Sequence, residues 1–393
     1  MDGVILAALR SPIGRLNGSL AALTAPQLGA QVARAALARA EIDGESVDET
    51  LFGCVLQAGL GQAPARQVAL GAGLPESVPA TTINKVCASG LKTVALADQA
   101  IRAGDGHLFL CGGMESMSNA PYLVAGARAG LRAGHGQMTD AAIHDGLWCS
   151  FGLEHMGAAA ERIAETCGID RESQDRYALE SHRRAVASVT NGEFVAEIAP
   201  LALSERSGTR QVAADECPRT DTSLDALARL RPVFRADGTV TAGNAPPLSD
   251  GAAALVVASS ERARALGRRP LARIIGYTQA AREPGMIFAA PPLAIRALLE
   301  RTRTRMADYD LWEVNEAFAA QIIANQREME WDPQRANVRG GAIALGHPLG
   351  ATGARILVTL VHALRARGGG RGIAALCLGG GGAAAMAIEV DRA

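Results

Sequence analysis

The sequence predicts an α/β protein built from more than one domain. Its 393 residues are long for a single hydrophobic core, and domains of the usual size would divide them into two or three. Apolar residues make up 48% of the chain and charged residues 20%, which is enough apolar material for a sizeable core. Short apolar runs alternate with helical patterns along the whole length, and this alternation is typical of sheets covered by helices.

The individual elements follow from hydrophobic periodicity and from the turn residues between them. Apolar runs predict strands at Val4–Ala8, His107–Cys111, Ala254–Ala258, Leu271–Ile275 and Ile373–Leu378. Helical spacing predicts helices at Ala25–Ala40, Leu91–Ala103, His155–Thr166, Arg171–Val189, Pro292–Met306, Ala317–Glu328 and Ala354–Arg367. Clusters of Gly, Asn or Ser separate many of these elements, as turns require.

Charge and composition exclude several classes of function. The formal net charge of −1 disfavours a protein that binds nucleic acid or membrane surfaces by general electrostatics. No uncharged apolar run reaches roughly 18 residues, the length that a membrane helix needs, and the N-terminus lacks a basic signal region. The seven cysteines include no CxxC pair and no metal-ligand spacing. We therefore expect a cytoplasmic protein with reduced thiols and no metal site.

Two segments repeat the same order of features. CASGLKTVALADQAI is followed by GDGHLFLCGG, and GATGARILVTLVHAL is followed by GRGIAALCLGG. Each contains a turn of small residues, a helix of about four turns, a glycine turn and an apolar strand that runs into two glycines. This repeat predicts two related domains. Residues 119–249 have no counterpart, so we expect an inserted loop domain whose ends carry binding residues.

Cys87 precedes Ala-Ser-Gly and a helical run, which places it at or just before a helix N-terminus. Unpaired N–H groups and the helix dipole stabilise a thiolate there, so the position predicts a nucleophile with a lowered pKa. The alternative is a buried cysteine that serves only as a small apolar side chain, and the local sequence leaves both interpretations open.

His347 lies in Gly-His-Pro-Leu-Gly-Ala-Thr-Gly, again just before a helix. The proline restricts the histidine backbone to extended geometry, and the glycines allow other atoms to approach closely. A histidine in a glycine-rich loop is often structural. It becomes a general base if the fold brings it to Cys87.

Cys377 ends an apolar strand and is followed by Leu-Gly-Gly-Gly-Gly. A strand that runs into glycines exposes successive backbone N–H groups, which can bind an oxyanion. A nucleotide-binding loop is the weaker interpretation, because the Walker Lys-Ser/Thr is absent and no GxGxxG is followed by a matching acidic residue.

Asn315 follows an apolar pair within the sequence EVNEAF. Its amide could donate a hydrogen bond to a thioester oxygen, directly or through water. The simpler interpretation is that it caps the predicted helix Ala317–Glu328, and the local sequence leaves both open.

Six motifs, in order, resemble those of the thiolase family, and the similarity spans essentially the whole chain. They are NKVCASGLK, GLxxxxxxxHMG at residues 146–157, TAGNA before SDGAAA, EVNEAFAAQ, GGAIALGHPLGATG and LCLGGGG. Each is moderately specific by itself, and together they most resemble the acetyl-CoA acetyltransferases of that family.

The resemblance implies the thiolase fold, with two duplicated βαβαβαββ domains in a layered α/β/α/β/α arrangement. We expect the N-terminal domain at residues 1–118 plus 250–269, the inserted CoA-binding loop domain at 119–249 and the C-terminal domain at 270–393. The resemblance also implies a homo-oligomer, either a dimer or a tetramer.

The resemblance further implies the chemistry. By motif position, Cys87 is the nucleophile that becomes acetylated, His347 takes its proton, and Cys377 moves a proton to or from the α-carbon of a second acyl-CoA. Asn315 and His347 would form one oxyanion site, and the backbone N–H groups of Cys87 and Gly379 the other. The implied reaction is the reversible Claisen condensation of two acetyl-CoA to acetoacetyl-CoA and CoA, by a ping-pong mechanism that needs no metal or redox cofactor.

Coenzyme A is implied to lie across the loop domain. The positions that family members use for its pantetheine and nucleotide are Leu147, His155, Met156, Arg219, Phe234, Ala242, Ala317 and Phe318. Arg219 is a candidate phosphate or adenine contact, because a guanidinium both pairs with phosphate and stacks on rings. The alternative for Arg219 is a solvated surface arginine.

Two departures from the family pattern concern substrate binding. Pro246 stands where many biosynthetic members have a serine that contacts the pantetheine, so that hydrogen bond is absent. The segment Met286–Pro291 departs from a glycine-rich version, and Ile287 or Phe288 would narrow the acyl pocket toward two-carbon groups. Two alternatives stay open: a degradative 3-ketoacyl-CoA thiolase for longer chains, and a non-catalytic acyl-CoA carrier with the same fold.

Overall fold

A computed structural model describes residues 2–206 and 208–392 of the chain. Its strands are β1 (Gly3–Arg10), β2 (Gly14–Arg15), β3 (Glu49–Gly53), β4 (Ala80–Ile83), β5 (Leu108–Ser116), β6 (Tyr122–Leu123), β7 (Thr139–Asp140), β8 (Trp148–Cys149), β9 (Glu154–His155), β10 (Leu201–Glu205), β11 (Gly208–Val212), β12 (Ser249–Ser259), β13 (Ala272–Ala281), β14 (Leu311–Val314), β15 (Gly370–Leu378) and β16 (Gly382–Val390). Its α-helices are α1 (Ala25–Ala40), α2 (Pro64–Ala72), α3 (Ser89–Ala103), α4 (Ala141–His144), α5 (Met156–Thr166), α6 (Arg171–Thr190), α7 (Leu224–Ala228), α8 (Ser260–Ala265), α9 (Pro291–Thr302), α10 (Ala319–Met329), α11 (Ala342–Leu345) and α12 (Leu349–Ala366).

All of the strands and helices that the sequence predicts are present, and the boundaries of two helices differ most. α12 begins at Leu349, earlier than predicted, and includes two glycines in its first turns. α9 ends at Thr302, before the predicted end at Met306, because Arg303 takes a left-handed φ of 54° that closes the helix. No helix in the two described ranges is long and apolar enough to cross a membrane.

The main sheet repeats one pairing pattern in its two halves. In the first half, β3 pairs parallel with β5, and the sheet continues antiparallel through β12 to β1. In the second half, β14 pairs parallel with β15, and the sheet continues antiparallel through β16 to β13. The first half also carries β4 at its edge. The shared pattern confirms the internal repeat read from the sequence.

The two halves join into one ten-stranded sheet through β1 and β13. The join is short, and it pairs Val4 with Arg273 and Ile5 with Ala272. The two duplicated domains that the resemblance implied therefore share one continuous sheet. The continuity across the two domains arises because two edge strands, which would otherwise leave N–H and C=O groups unpaired, meet there.

Helices and sheet halves alternate in five layers. α1 and α2 pack on the outer face of the first half, in an apolar core shared with β1, β5 and β12. α3 and α12 lie between the two halves, in a second core built from residues of both. α9 and α10 cover the outer face of the second half. This is the α/β/α/β/α arrangement that the resemblance implied.

Glycines set the closest contact between α3 and α12. A Cβ placed on Gly90 would lie 2.8 Å from the backbone nitrogen of Ala354, and one placed on Gly353 would lie 2.6 Å from the backbone of α3. Both contacts lie near the N-terminal ends of the two helices. The residues just before these helices, Cys87 and His347, are therefore brought to one place.

The chain between β5 and β12 forms its own small elements. Its strands pair as β6 with β7, β8 with β9, and β10 with β11. α5 packs on α10 through an apolar cluster that also contains Cys377, and α6 packs on α10 and α11. The helices α5 and α6 therefore lie against the second half of the sheet, next to Cys377, while Leu201, Leu203 and Val212 of β10 and β11 join the core of the first half.

Candidate active site

A cavity of about 450 Å³ is lined by both halves of the sheet and by the inserted segment. The predicted site residues on its wall are Cys87, Leu147, His155, Met156, Arg219, Phe234, Ala242, Ala317, Phe318, His347, Cys377 and Gly379. Most of the wall is apolar, with few polar groups, as is usual where a small molecule binds. Within residues 2–206 and 208–392, no group of three or more His, Cys, Asp or Glu side chains could hold a metal.

Cys87 lies on a strained turn between β4 and α3. Val86, just before it, has a φ of 48°, which a β-branched residue rarely adopts and which costs about 1–3 kcal/mol. Hydrogen bonds hold this conformation. The Val86 N–H donates to Asn84 Oδ1 over 3.0 Å. The Ser89 hydroxyl donates to the Val86 carbonyl over 2.6 Å and accepts the Lys85 N–H over 2.8 Å.

The Cys87 sulfur faces two backbone N–H groups, its own and that of Gly379, and both lower the pKa of the thiol. Burial has a larger and opposite effect, reinforced by the charge of Glu115, and raises the pKa of Cys87 to about 12. The expectation of a lowered pKa at this helix N-terminus is therefore wrong. Cys87 rests as a neutral thiol and needs a base before it can act as a nucleophile.

Cys377 lies near the end of β15 and is buried. Burial raises the pKa of its thiol well above the usual range, and ionisation of Cys87 raises it further. Its neighbours in the apolar cluster include Phe288, Ala317 and Phe318. The two cysteines therefore face the same cavity with both thiols protonated.

His347 is oriented by a hydrogen bond of 2.7 Å between its Nδ1 and the Thr352 hydroxyl. That hydroxyl donates its own proton to the Pro348 carbonyl over 2.9 Å, so it accepts the proton of Nδ1. This network assigns the imidazole proton to Nδ1 and leaves the lone pair of Nε2 free. Burial, together with the charge of Arg355, lowers the pKa of His347 to about 3. The imidazole is therefore neutral near pH 7 and has the form of a general base.

Asn315 directly follows β14 and is not on the cavity wall. Its side chain is buried, and neither amide atom has a hydrogen-bond partner among the described residues. The N-cap of α10 is Phe318, so the capping interpretation of Asn315 is wrong. Glu313 and Arg355 form a long ion pair of 3.9 Å with each other, and they also carry buried polar atoms that have no hydrogen-bond partner among the described residues. A buried amide is costly to leave unpaired, and its donor is available to a substrate oxygen or to a bridging water.

Aromatic rings from several segments form one side of the cavity. Phe234 stacks on His155 with ring centroids 4.7 Å apart, and meets Phe318 edge-on at 6.4 Å. Phe288 meets Phe318 edge-on at 5.3 Å. His155 Nδ1 accepts the Gly157 N–H at the start of α5, and burial lowers the pKa of His155. These rings form an ordered, uncharged surface.

Arg219 lies at the exposed rim of the cavity. Its backbone N–H donates to His182 Nδ1 over 3.2 Å, and its guanidinium forms no ion pair with any residue that the structure describes. A second cavity of about 430 Å³ shares Arg219 and Ala242 with the first. Pro246 lies on the wall of the first cavity and, as a proline, offers no N–H donor. The rim therefore presents a positive charge that is available to an anion.

The structure adds wall residues to which the sequence analysis gave no role in the site. They are Val86, Met117, Ile143, Val233, Thr241, Ala245, Pro247, Leu248, Leu349 and Leu378. Val86, Thr241, Ala245, Leu349 and Leu378 lie within the quoted motifs, whereas the others are mostly apolar residues outside them, which are equally common in any core and carry no local signal of a site. Thr352 was also missed, although a hydroxyl in the first turns of a helix that follows a histidine is a usable signal.

Comparisons with known proteins show the family and the fold of the chain. The family model of the thiolase N-terminal domain matches residues 3–261, and that of the thiolase C-terminal domain matches residues 268–390. An acetyl-CoA acetyltransferase of Pseudomonas aeruginosa is 49% identical over 391 residues, which cover 99% of this chain and 100% of its own. One of Escherichia coli is 51% identical and covers 98% of each chain. The crystal structure of the Bacillus anthracis acetyl-CoA acetyltransferase matches with a TM-score of 0.97 at 41% identity, over 99% of each chain.

Proposed function

The chain belongs to the thiolase family, and we propose that it is an acetyl-CoA C-acetyltransferase that reversibly converts two acetyl-CoA to acetoacetyl-CoA and CoA. One observation carries this proposal: Cys87, His347 and Cys377, from three distant parts of the sequence, line one apolar cavity. The full-length similarity to acetyl-CoA acetyltransferases supports the same activity.

In the first half-reaction, the Cys87 sulfur attacks the carbonyl carbon of acetyl-CoA. His347 Nε2 takes the thiol proton, because the neutral imidazole can accept it and the raised pKa of the thiol requires a base. The oxyanion of the tetrahedral intermediate is stabilised by the backbone N–H groups of Cys87 and Gly379. The bond between carbon and the CoA sulfur then breaks, and the CoA thiolate takes the proton of the Cys377 thiol, which leaves acetyl-Cys87, protonated His347 and the Cys377 thiolate.

In the second half-reaction, the thiolate of Cys377 removes an α-proton from a second acetyl-CoA. The carbanion attacks acetyl-Cys87, which releases acetoacetyl-CoA and the Cys87 thiolate, and that thiolate takes the proton held by His347. Asn315 stabilises the enolate oxygen with its unpaired amide, and His347 stabilises it with the proton that it holds on Nε2. In reverse, the neutral thiol of Cys377 gives its proton to the departing enolate, and the raised pKa of this thiol suits that donation.

Coenzyme A lies between the inserted loop domain, residues 119–249, and the C-terminal domain. The loop domain contributes Leu147, His155, Met156, Arg219, Phe234 and Ala242, and the C-terminal domain contributes Ala317 and Phe318. The aromatic surface packs on the pantetheine arm, and the free guanidinium of Arg219 binds a phosphate or stacks on the adenine. The serine contact of many relatives is absent at Pro246. The active molecule is a homo-oligomer, a dimer or a tetramer.

The acyl group is restricted to two carbons by Ile287 and Phe288. Both side chains are buried and lie on the wall with Cys377, and Phe288 is held edge-on by Phe318. One methylene in an apolar pocket changes kcat/KM by roughly 10–200-fold. This wall favours acetoacetyl-CoA over the longer substrates of a degradative thiolase.

The test is thiolysis of acetoacetyl-CoA and of 3-ketohexanoyl-CoA by the purified protein with free CoA. A kcat/KM at least about tenfold higher for acetoacetyl-CoA is the expected result. A preference of that size for 3-ketohexanoyl-CoA would overturn the two-carbon assignment and leave the degradative activity.

A further inference from the structure

A buried carboxylate next to the cavity has no part in the reaction described above. Glu115 lies near the end of β5, is fully buried and forms no ion pair within the described ranges. Its Oε2 accepts the N–H groups of Val55 over 3.1 Å and Gly350 over 2.9 Å, and its Oε1 accepts that of Leu56 over 3.1 Å. Since burial of an isolated carboxylate is costly, these N–H donors, and not a cation, offset that cost.

The three donors come from both catalytic halves of the molecule. Val55 and Leu56 follow β3, in the half that carries Cys87, and they pack with Cys87 in one apolar cluster. Gly350 lies in the first turn of α12, directly after the loop that carries His347. Glu115 therefore links the two halves beside their reactive side chains.

The backbones around this link are in direct contact. A Cβ placed on Gly113 would lie 2.0 Å from the carbonyl oxygen of Gly350, and one placed on Gly350 would lie 2.6 Å from that of Met114. β5 and the first turn of α12 thus touch main chain to main chain. The hydrogen bonds of Glu115 hold this contact, and the dipole of α12 favours a negative charge at its N-terminus.

The sign of the charge argues against a role in activating Cys87. Burial raises the pKa of Glu115 to about 7, and its ionised form raises the pKa of the Cys87 thiol, which disfavours the thiolate. The titratable groups that face Glu115 are the Cys54 thiol, 3.7 Å from Oε1, and Cys87. The charge of Glu115 hinders formation of the Cys87 thiolate, and its oxygens accept N–H groups from both halves of the molecule. Its role is therefore to hold these two segments in position.

We propose that Glu115 is a positioning residue that holds the first turn of α12, and with it His347, in register with Cys87. The inference rests on the proposed thiolase activity, because only that reaction uses both side chains. Glu115 is not on the cavity wall, so it affects turnover and not the binding of CoA.

Two substitutions test this role and separate position from charge. Glu115→Gln keeps the side-chain length but offers one oxygen to three N–H donors. Glu115→Asp keeps the charge, but its side chain is too short to reach the N–H groups of Val55 and Leu56 in one half and that of Gly350 in the other at the same time. Asp98→Asn is the control away from the cavity: Asp98 is also buried and accepts a main-chain N–H, that of Gly3, and it differs from Glu115 in its ion pair with Arg102.

Both variants at position 115 should lower kcat for acetoacetyl-CoA thiolysis by at least about tenfold, with KM within about twofold of the wild type. The rate of Cys87 alkylation by iodoacetamide at a fixed pH of about 8, followed by peptide mass spectrometry, gives a second readout, because only the thiolate reacts. The rate should rise in Glu115→Gln, which lacks the charge, and should change less in Glu115→Asp, which keeps it. The fully buried Cys111 should stay unlabelled in every folded variant, and Asp98→Asn should match the wild type.

Wild-type turnover in both variants at position 115 would overturn the inference. Labelling of Cys111 in step with the loss of kcat would also overturn it, since the loss would then reflect unfolding. If the wild type itself lacks thiolysis activity, the proposed function fails, and that outcome is separate because Cys87 alkylation is still measurable. If Glu115→Gln does not fold, Glu115→Asp alone tests the inference, and the same fall in kcat with the same nearly unchanged KM is expected.

Discussion

Replacing Thr352 by valine removes the acceptor of the His347 Nδ1–H while keeping the shape of the side chain. The Thr352 hydroxyl also donates to the Pro348 carbonyl. After the substitution this carbonyl still accepts two backbone N–H groups, that of Ala351 over 3.0 Å and that of position 352 over 2.9 Å. The substitution therefore leaves one buried group, the Nδ1–H of His347, without its partner. Thr352→Ser keeps the hydroxyl and is the matched control.

The size of the effect follows from the cost of that unpaired donor. A buried donor without an acceptor costs about 1–3 kcal/mol, and His347 is buried at this position. The imidazole can avoid the cost by moving its proton to Nε2, but Nε2 is then no longer the base. Since each 1.36 kcal/mol corresponds to a factor of about ten in rate, the rate of Cys87 acetylation should fall by roughly 5- to 150-fold.

The assay is a single turnover with acetyl-CoA, quenched with acid and analysed by mass spectrometry for acetyl-Cys87. The acetylation rate of Thr352→Ser should lie within about threefold of the wild-type rate, because the serine hydroxyl still accepts the hydrogen bond from His347 Nδ1. Thermal unfolding of the variants confirms that they are folded. Equal acetylation rates in Thr352→Val and Thr352→Ser would refute the assignment of His347 Nε2 as the base.

Three further predictions test other parts of the site. Cys377→Ala should still form acetyl-Cys87 but should make no acetoacetyl-CoA, and loss of both by mass spectrometry and product assay would contradict the assigned roles. Phe288→Ala should raise the kcat/KM ratio of 3-ketohexanoyl-CoA to acetoacetyl-CoA by about tenfold, whereas an unchanged ratio would remove Phe288 from the acyl wall. Because the pKa of His347 falls from 6.5 to about 3 on folding, its contribution to stability is complete above pH 6.5 and is lost as the pH falls toward 3. Acetylation of Cys87 should accordingly show no protonation step of His347 near pH 6.5; because the pKa of Glu115 is about 7, the profile is measured in Glu115→Gln, where a step near pH 6.5 would contradict a neutral His347.

The fold could be predicted to a large extent because its signals are local or repeated. The helix Ala25–Ala40 was predicted at its observed boundaries, since its apolar stripe and its Thr24 cap lie within one segment. The two copies of the turn, helix and strand placed Cys87 and His347 at equivalent helix starts. The glycines that let α3 and α12 approach were visible in the sequence, but the contact between them was not.

The features that could not be predicted from the sequence depend on what surrounds a residue after folding. The helix N-terminus at Cys87 suggested a lowered pKa, whereas burial, which the sequence does not reveal, raises it. Asn315 looked like a helix cap because the start of α10 was placed too early. The left-handed φ of Val86 has no sequence signal, because a valine at that position ordinarily predicts a strand.

The central claim is that Cys87 carries the acyl group, and mass spectrometry of the protein mixed with acetyl-CoA tests it most directly. The account predicts one acetyl group on the peptide that contains Cys87. That group should disappear when free CoA is added and should be absent from Cys87→Ala. No adduct on the wild type, or an adduct that persists in Cys87→Ala, would contradict the account and favour a non-catalytic carrier of acyl-CoA.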